Sequence, residues 1–176
     1  MVATESAVLV TVPEAEPVVG AVRARLDRSA GWGVPAHVTV LYPFVPPDLI
    51  DATVLAALAE AVATVPVFDL TLPRVAWFGE EVVWLAPEPS AGFVALTSAV
   101  WGRFPEYPPY RNAHPEVIPH LTLGDRAPVD ELRAAAREVA AGLPIRSRVT
   151  HVRLMEGAPE PNSWRTVAEL GLSAVS

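Results

Sequence analysis

The pattern of apolar and polar positions divides the chain into short strands and amphipathic helices. Apolar runs rich in β-branched and aromatic residues, bounded by Pro, Gly or charged residues, predict strands. These runs cover residues 7–12, 37–44, 67–78 with an interruption at Pro73, 82–86, 119–124, 145–155 and 164–170. Apolar residues at helical spacing predict helices between the strands. These helices cover about 14–28, 48–65, 90–100 and 128–141.

The predicted elements follow the order β-α-β-α-β-β-α-β-α-β-β. Division near Ala86 gives two similar halves, and the length of 176 residues fits one domain. We therefore expect a single α+β domain over 1–176 with pseudo-two-fold symmetry and two lobes at about 1–86 and 87–176. Two antiparallel-rich sheets would flank a central groove, with the helices on the outer faces.

Two short stretches share one spacing: HVTV at 37–40 and HLTL at 120–123. In a strand, residues two apart lie on the same face. The His and the Thr of each stretch would therefore face one way and the two apolar residues the other. The copies occupy matching positions in the two predicted halves, and we expect them to form one site.

The alternative for either stretch alone is structural, because His can cap a strand and Thr is a common strand residue. A random chain with 4 His of its 176 residues would place Thr two positions after two of them in about 2% of cases. The pair therefore favours function. His114 and His151 lack the following Thr, and we expect them to be ordinary polar residues.

Two histidines and two threonines suit chemistry at phosphorus. A neutral imidazole can take a proton while its protonated partner gives one to a leaving group. A Thr hydroxyl can donate to a phosphoryl oxygen that gains charge in the transition state. Such a set fits in-line displacement, and a 2′,3′-cyclic phosphate is a natural substrate because ring opening needs only water, a base and an acid.

Several other residues are candidates for substrate binding. Tyr42, Phe44, Trp77 and Phe78 could stack on a nucleobase, although aromatic residues on strands more often pack in the core. Arg126 follows the second stretch and could bind phosphate, and an exposed surface Arg is the alternative. The Pro-rich segment 103–119 lacks periodicity, which is typical of a functional loop.

Composition limits the partners. The net charge is −7 and all 13 basic residues are Arg, so binding to DNA or long RNA is not expected, whereas a small nucleotide or an RNA terminus is compatible. With no Cys, no clustered acids beside His and no cofactor motif, we expect neither a metal nor a cofactor. Without a membrane-length apolar run or a secretory signal, we expect a cytoplasmic protein. We also expect a monomer.

At the two His-x-Thr stretches the sequence resembles the two-histidine (2H) phosphoesterase superfamily, particularly its 2′-5′ RNA ligase and cyclic phosphodiesterase branch. The similarity rests on HVTVLYPF at 37–44 and PHLTLG at 119–124. The segments FPEYPPY at 104–110 and WFGEEVVWLAP at 77–87, and the closing WRTVAELGL, support the resemblance, although only the two His-x-Thr motifs are specific.

The resemblance implies a bilobal fold and metal-independent cleavage of 2′,3′-cyclic phosphates or 2′-5′ linkages. It also implies that His37 and His120 are the acid–base pair, that Thr39 and Thr122 hold the phosphate, and that Tyr42 contacts the substrate. The family places Lys or Arg close after the second motif, where this chain has Asp125 before Arg126.

Two alternatives remain open at the level of sequence. The chain could be a non-catalytic module that binds a nucleotide or an RNA end in the same groove. It could also be a phosphodiesterase for another small cyclic phosphoester.

Overall fold

The computed structural model describes residues 1–174, and within them the chain forms nine strands and five α-helices. The strands are β1 (Glu5–Thr11), β2 (His37–Leu41), β3 (Phe68–Leu72), β4 (Val75–Phe78), β5 (Val82–Leu85), β6 (Leu121–Asp125), β7 (Ile145–Val149), β8 (His151–Gly157) and β9 (Arg165–Gly171). The helices are α1 (Glu16–Leu26), α2 (Arg28–Gly31), α3 (Ala52–Val62), α4 (Ala91–Arg103) and α5 (Val129–Ala140).

The strands form antiparallel sheets. One sheet has the order β2-β1-β8-β9, a second the order β4-β5-β6, and β3 pairs with β7. Helix α4 packs on β2 and α3 on β9, whereas α1 and α5 pack on β6. The predicted α+β class with antiparallel sheets and packed helices is confirmed.

The sheets do not follow the expected division of the chain at residue 86. Strands β8 and β9, from the C-terminal half, complete the sheet of β1 and β2, while β4 and β5 pair with β6. Strands β7 and β8 are separated by a break at Thr150, within the region predicted as one strand over 145–155. The segment before the break pairs with β3 and the segment after it pairs with β1. No Pro or Gly marks the break, so the apolar pattern runs through it.

Two of the helices, α2 and α3, are capped at their starts by Asp side chains. The helix predicted over 14–28 ends at Leu26, because Asp27 is extended and its carboxylate accepts a hydrogen bond from Ser29 N at 3.0 Å, capping α2. The helix predicted from Asp48 begins instead at Ala52, where Asp51 accepts from Val54 N at 2.9 Å. Residues 47–49 form a separate 3₁₀ turn.

The two His-x-Thr stretches have the predicted alternation. Val38, Val40, Leu121 and Leu123 are at most 1% exposed and belong to the main core. The His and Thr of both stretches are partly exposed on the opposite face. Among residues 1–174, no helix combines the length and apolar composition needed to cross a bilayer.

Candidate active site

The two motif strands meet at the junction between sheets. Strand β2 is the outermost strand of the four-stranded sheet and β6 the outermost strand of the three-stranded sheet. The two outer strands lie against each other without being paired in a ladder. Because each strand buries its apolar positions, its His and Thr positions are left to face the space at the junction.

Both imidazoles are held by the same local contact. The Nδ1 of His37 lies 2.8 Å from the Pro35 carbonyl oxygen, and the Nδ1 of His120 lies 2.7 Å from the Ile118 carbonyl oxygen. A carbonyl can only accept, so Nδ1 is the protonated nitrogen in each ring. The Nε2 atoms are left with their lone pairs available to accept a proton.

The surroundings of His37 keep it neutral. Burial, followed by the positive charge of Arg23, lowers the pKa of His37 from 6.5 to about 4. The bond to Pro35 and the charge of Asp27 oppose this shift, whereas the charge of His120 adds to it. Among the groups that act on the pKa of His37, His120 has the smallest effect.

His120 lies among aromatic rings. Its ring meets Phe78 edge-on with centroids 5.1 Å apart, and Trp84 at 5.9 Å. Burial lowers the pKa of His120, and the charge of His114 lowers it as well, against the opposing bond to Ile118. Both motif histidines are therefore shifted towards the neutral form.

A cavity of about 740 Å³ opens in front of the second motif. Its lining includes His120, Thr122, Phe78, Tyr42, Tyr110 and His114. His37 and Thr39 are not lining residues of this cavity. The first motif reaches its wall through Thr39, whose side-chain interaction with Tyr110 opposes the rise that burial causes in the pKa of Tyr110. The volume is within the range of small-molecule sites in proteins.

Tyr110 lines the cavity, although the sequence did not single it out. Its amide donates to the Tyr42 carbonyl oxygen at 2.7 Å, and its ring meets Tyr42 and His114 edge-on. Tyr110, Arg111 and Asn112 have φ values of 50°, 53° and 60°, a left-handed run that side chains rarely adopt. Such strain is concentrated at functional sites. The only sequence signal was the Pro-rich, aperiodic segment around them.

The other predicted substrate contacts have different outcomes. Tyr42 lines the cavity, and its phenol donates to Glu5 at 2.8 Å. Arg126 also lines it, exposed and 3.6 Å from the Asp125 carboxylate. Trp77 does not line this cavity: it borders a separate surface depression beside α5. Successive strand residues face opposite ways, so Phe78 and not Trp77 lies at the cavity wall.

The arrangement offers a defined set of chemical groups. Two imidazole Nε2 atoms can accept or donate protons, and two Thr hydroxyls on the same strands can donate hydrogen bonds. Within residues 1–174, His, Asp and Glu side chains do not gather in threes as a metal-binding cluster would require. The groups present are those that acid–base chemistry at phosphorus uses.

Comparisons with known proteins test the family that the two motifs predict. Residues 11–159 match the family model described as "2′-5′ RNA ligase superfamily". Among curated proteins, no sequence match was found. The family predicted from the two motifs is confirmed by the match.

Solved structures share the fold. LigT of E. coli without ligand superposes with a TM-score of 0.62 at 19% identity, covering 97% of this chain and 98% of LigT. TT0787 of Thermus thermophilus superposes with a TM-score of 0.68 at 18% identity, covering 98% and 100%. LigT has also been solved in complex with 3′-AMP; that structure gives a TM-score of 0.61 at 18% identity, covering 97% and 99%.

Proposed function

Because the chain belongs to the 2′-5′ RNA ligase superfamily, we propose that it is a metal-independent phosphoesterase. Its substrates would be 2′,3′-cyclic phosphates or 2′-5′ phosphodiesters of nucleotides or RNA ends. His37 and His120 would be the acid–base pair, and Thr39 and Thr122 would hold the phosphate.

One observation carries the proposal: the matched bonds of the two imidazoles. In both rings Nδ1 donates to the carbonyl of the residue two positions earlier, which leaves Nε2 as the reactive nitrogen. A structural His would need only one satisfied contact anywhere in the fold. Two histidines with the same tautomer on adjoining strands are what proton transfer to and from a bound phosphate requires.

Hydrolysis of a 2′,3′-cyclic phosphate then proceeds by in-line displacement. Water attacks phosphorus while the Nε2 of one neutral His takes its proton. The bond from phosphorus to the ribose 3′ oxygen breaks, and the protonated second His gives its proton to that oxygen. The product is a 2′-phosphate, and the two histidines return to their starting states by exchange with solvent.

The threonines stabilise the charge that develops on phosphorus. Thr39 and Thr122 occupy equivalent positions two residues after each His, so their hydroxyls would reach the two non-bridging oxygens. Hydrogen bonds that strengthen as these oxygens gain charge lower the barrier rather than only tightening substrate binding.

The lowered pKa values of both histidines have a consequence for the acid. In the empty site both rings are predominantly neutral at pH 7, because burial disfavours the charged form. The negative charge of a bound phosphate favours the imidazolium, so the substrate raises the pKa of one His and a proton enters with it. The acid is thus generated by substrate binding.

Two further observations support a nucleotide as the substrate. The cavity brings the Tyr42, Phe78 and Tyr110 rings beside His120, and aromatic faces stack on bases. LigT, which shares the fold, has been solved with 3′-AMP bound. We infer that the base lies among these rings while the phosphate lies between the motifs.

The experiment is turnover of 2′,3′-cyclic nucleotides in EDTA by the wild type and by His37→Ala and His120→Ala. His151→Ala is the matched control, since His151 lies on β8, outside both His-x-Thr stretches, and its Nδ1 lies 3.1 Å from the Thr150 hydroxyl oxygen. We expect the control to match the wild type and both motif variants to lose at least about 10²-fold in kcat. Tight nucleotide binding by the wild type without turnover would instead identify a non-catalytic binding module.

A further inference from the structure

A pair of side chains on α1 holds the backbone that orients His37. Glu16 and Arg23 are seven residues apart, two helical turns, so both face the same neighbouring segment. Glu16 Oε1 accepts from Ala36 N at 2.7 Å, and Arg23 Nη2 donates to the Val34 carbonyl at 3.1 Å. Between these two anchored residues lies Pro35, whose carbonyl binds the His37 ring.

We infer that Glu16 and Arg23 are positioning residues for His37, an assignment that deepens the proposed function and rests on it. Both anchor the 34–36 segment through hydrogen bonds to its backbone, and the segment in turn holds the imidazole. Neither residue belongs to the His-x-Thr motifs. We refer to the two residues as the α1 clamp.

The burial of Arg23 supports a role beyond stability. Its side chain is 3% exposed, and its Nε donates to Asp27 Oδ2 at 3.0 Å. Burying an ion pair gives little net stability compared with an apolar pair of similar size, because both charges lose their hydration. Here the pair lies against the segment that carries the proposed catalytic residue, and the guanidinium has an additional bond to that segment.

The charged and titratable groups that act on His37 come from three elements. Arg23 of α1 opposes protonation of the ring, Asp27 between α1 and α2 favours it, and His120 before β6 opposes it. The guanidinium therefore has two effects on one ring. It holds the segment to which the ring is bonded, and it disfavours the imidazolium in the empty site.

The second motif lacks such a clamp. Ile118, whose carbonyl binds His120, is 41% exposed. Apart from His120 itself, no side chain of residues 1–174 hydrogen-bonds to the backbone of 117–119. His37 is thus held by a network reaching into α1, while His120 is held by its own bond. His120 provides an internal control for any effect of the clamp.

The test compares Glu16→Ala with Glu16→Gln. The Gln side chain keeps an oxygen acceptor for Ala36 N, whereas Ala removes it. The readouts are kcat and KM for a 2′,3′-cyclic nucleotide and the imidazole ¹⁵N signals of His37 and His120. For Glu16→Ala we expect kcat to fall about tenfold with KM within twofold, because small losses of orientation slow proton transfer. Glu16→Gln should stay within twofold of the wild type.

The NMR signals separate this inference from the proposed function. In Glu16→Ala the His37 Nδ1–H signal should broaden or shift while that of His120 stays unchanged, whether or not the protein turns over any substrate. Should Glu16→Ala fail to fold, Arg23→Lys provides a second comparison, since Lys keeps the charge but replaces the two separate nitrogens that bond to Asp27 and Val34 with a single one. A folded clamp variant with an unchanged His37 signal, or with both His signals moved equally, would overturn the inference.

Discussion

The charge of a protonated His120 lowers the pKa of His37, whose strand β2 lies against β6. The same interaction makes it unfavourable for both rings to be charged in the empty site. A bound anion removes this conflict by attracting a positive charge to one of them. The number of protons bound by the two histidines should therefore change when phosphate or a phosphate analogue binds.

The first prediction concerns anion binding, with sulfate as a probe that does not titrate between about pH 5 and pH 8. Sulfate affinity should rise by roughly tenfold per pH unit at most as the pH falls through this range, because each bound anion brings one proton. Calorimetry in buffers of different ionisation enthalpy should show uptake of up to one proton. Affinity that is independent of pH would contradict a site that is neutral when empty.

The second prediction concerns acid stability. The pKa of His37 is lowered from 6.5 to about 4 in the folded protein, so between these values only the unfolded state binds the proton. Above pH 6.5 the neutral His37 does not reduce the free energy of unfolding. As the pH falls from 6.5 towards 4, that free energy decreases by up to about 1.4 kcal/mol per pH unit. His37→Gln should flatten this part of the denaturation profile. The slope should persist in His151→Gln, and an unchanged slope in His37→Gln would argue against the buried neutral ring.

The third prediction separates two adjacent aromatic residues. Phe78 lines the cavity, stacking on Trp84 at 4.6 Å and meeting His120, whereas Trp77 packs against the core from the depression beside α5. Phe78→Ala should raise KM for a cyclic nucleotide by about tenfold through loss of stacking. Trp77→Ala should lower the free energy of unfolding by about 2–4 kcal/mol with KM unchanged, as cavity formation predicts. The opposite pattern would restore Trp77 as the substrate contact.

The same residues show how much of the structure the sequence could predict. The two-residue period of HVTV and HLTL predicted which side chains are buried, because strand geometry alone determines that face. It did not separate Trp77 from Phe78, because both are aromatic and Pro73 interrupts the alternation before them. The apolar pattern also did not predict the pairing of β8 with β1, because the strand breaks at Thr150 without a Pro or Gly to mark the break.

Two features of the site depend on tertiary contacts and left no local signal. The left-handed conformation at Tyr110 arises in a segment whose residues do not favour it, so only the fold requires it. Glu16 and Arg23 have ordinary positions in an amphipathic helix, and their bonds to the 34–36 segment form only when α1 packs against it. The sequence thus indicated the residues that we propose to react, but not those that we propose to hold them.

The interdependence of the two histidines is tested most directly by a double-mutant comparison of kcat with a 2′,3′-cyclic nucleotide in EDTA. His37→Ala and His120→Ala should each lower kcat by about 10³-fold, and the double variant should be no slower than the slower single variant, because a concerted acid–base pair fails when either member is lost. Losses that multiply in the double variant, or a single variant with wild-type kcat, would contradict a shared catalytic site.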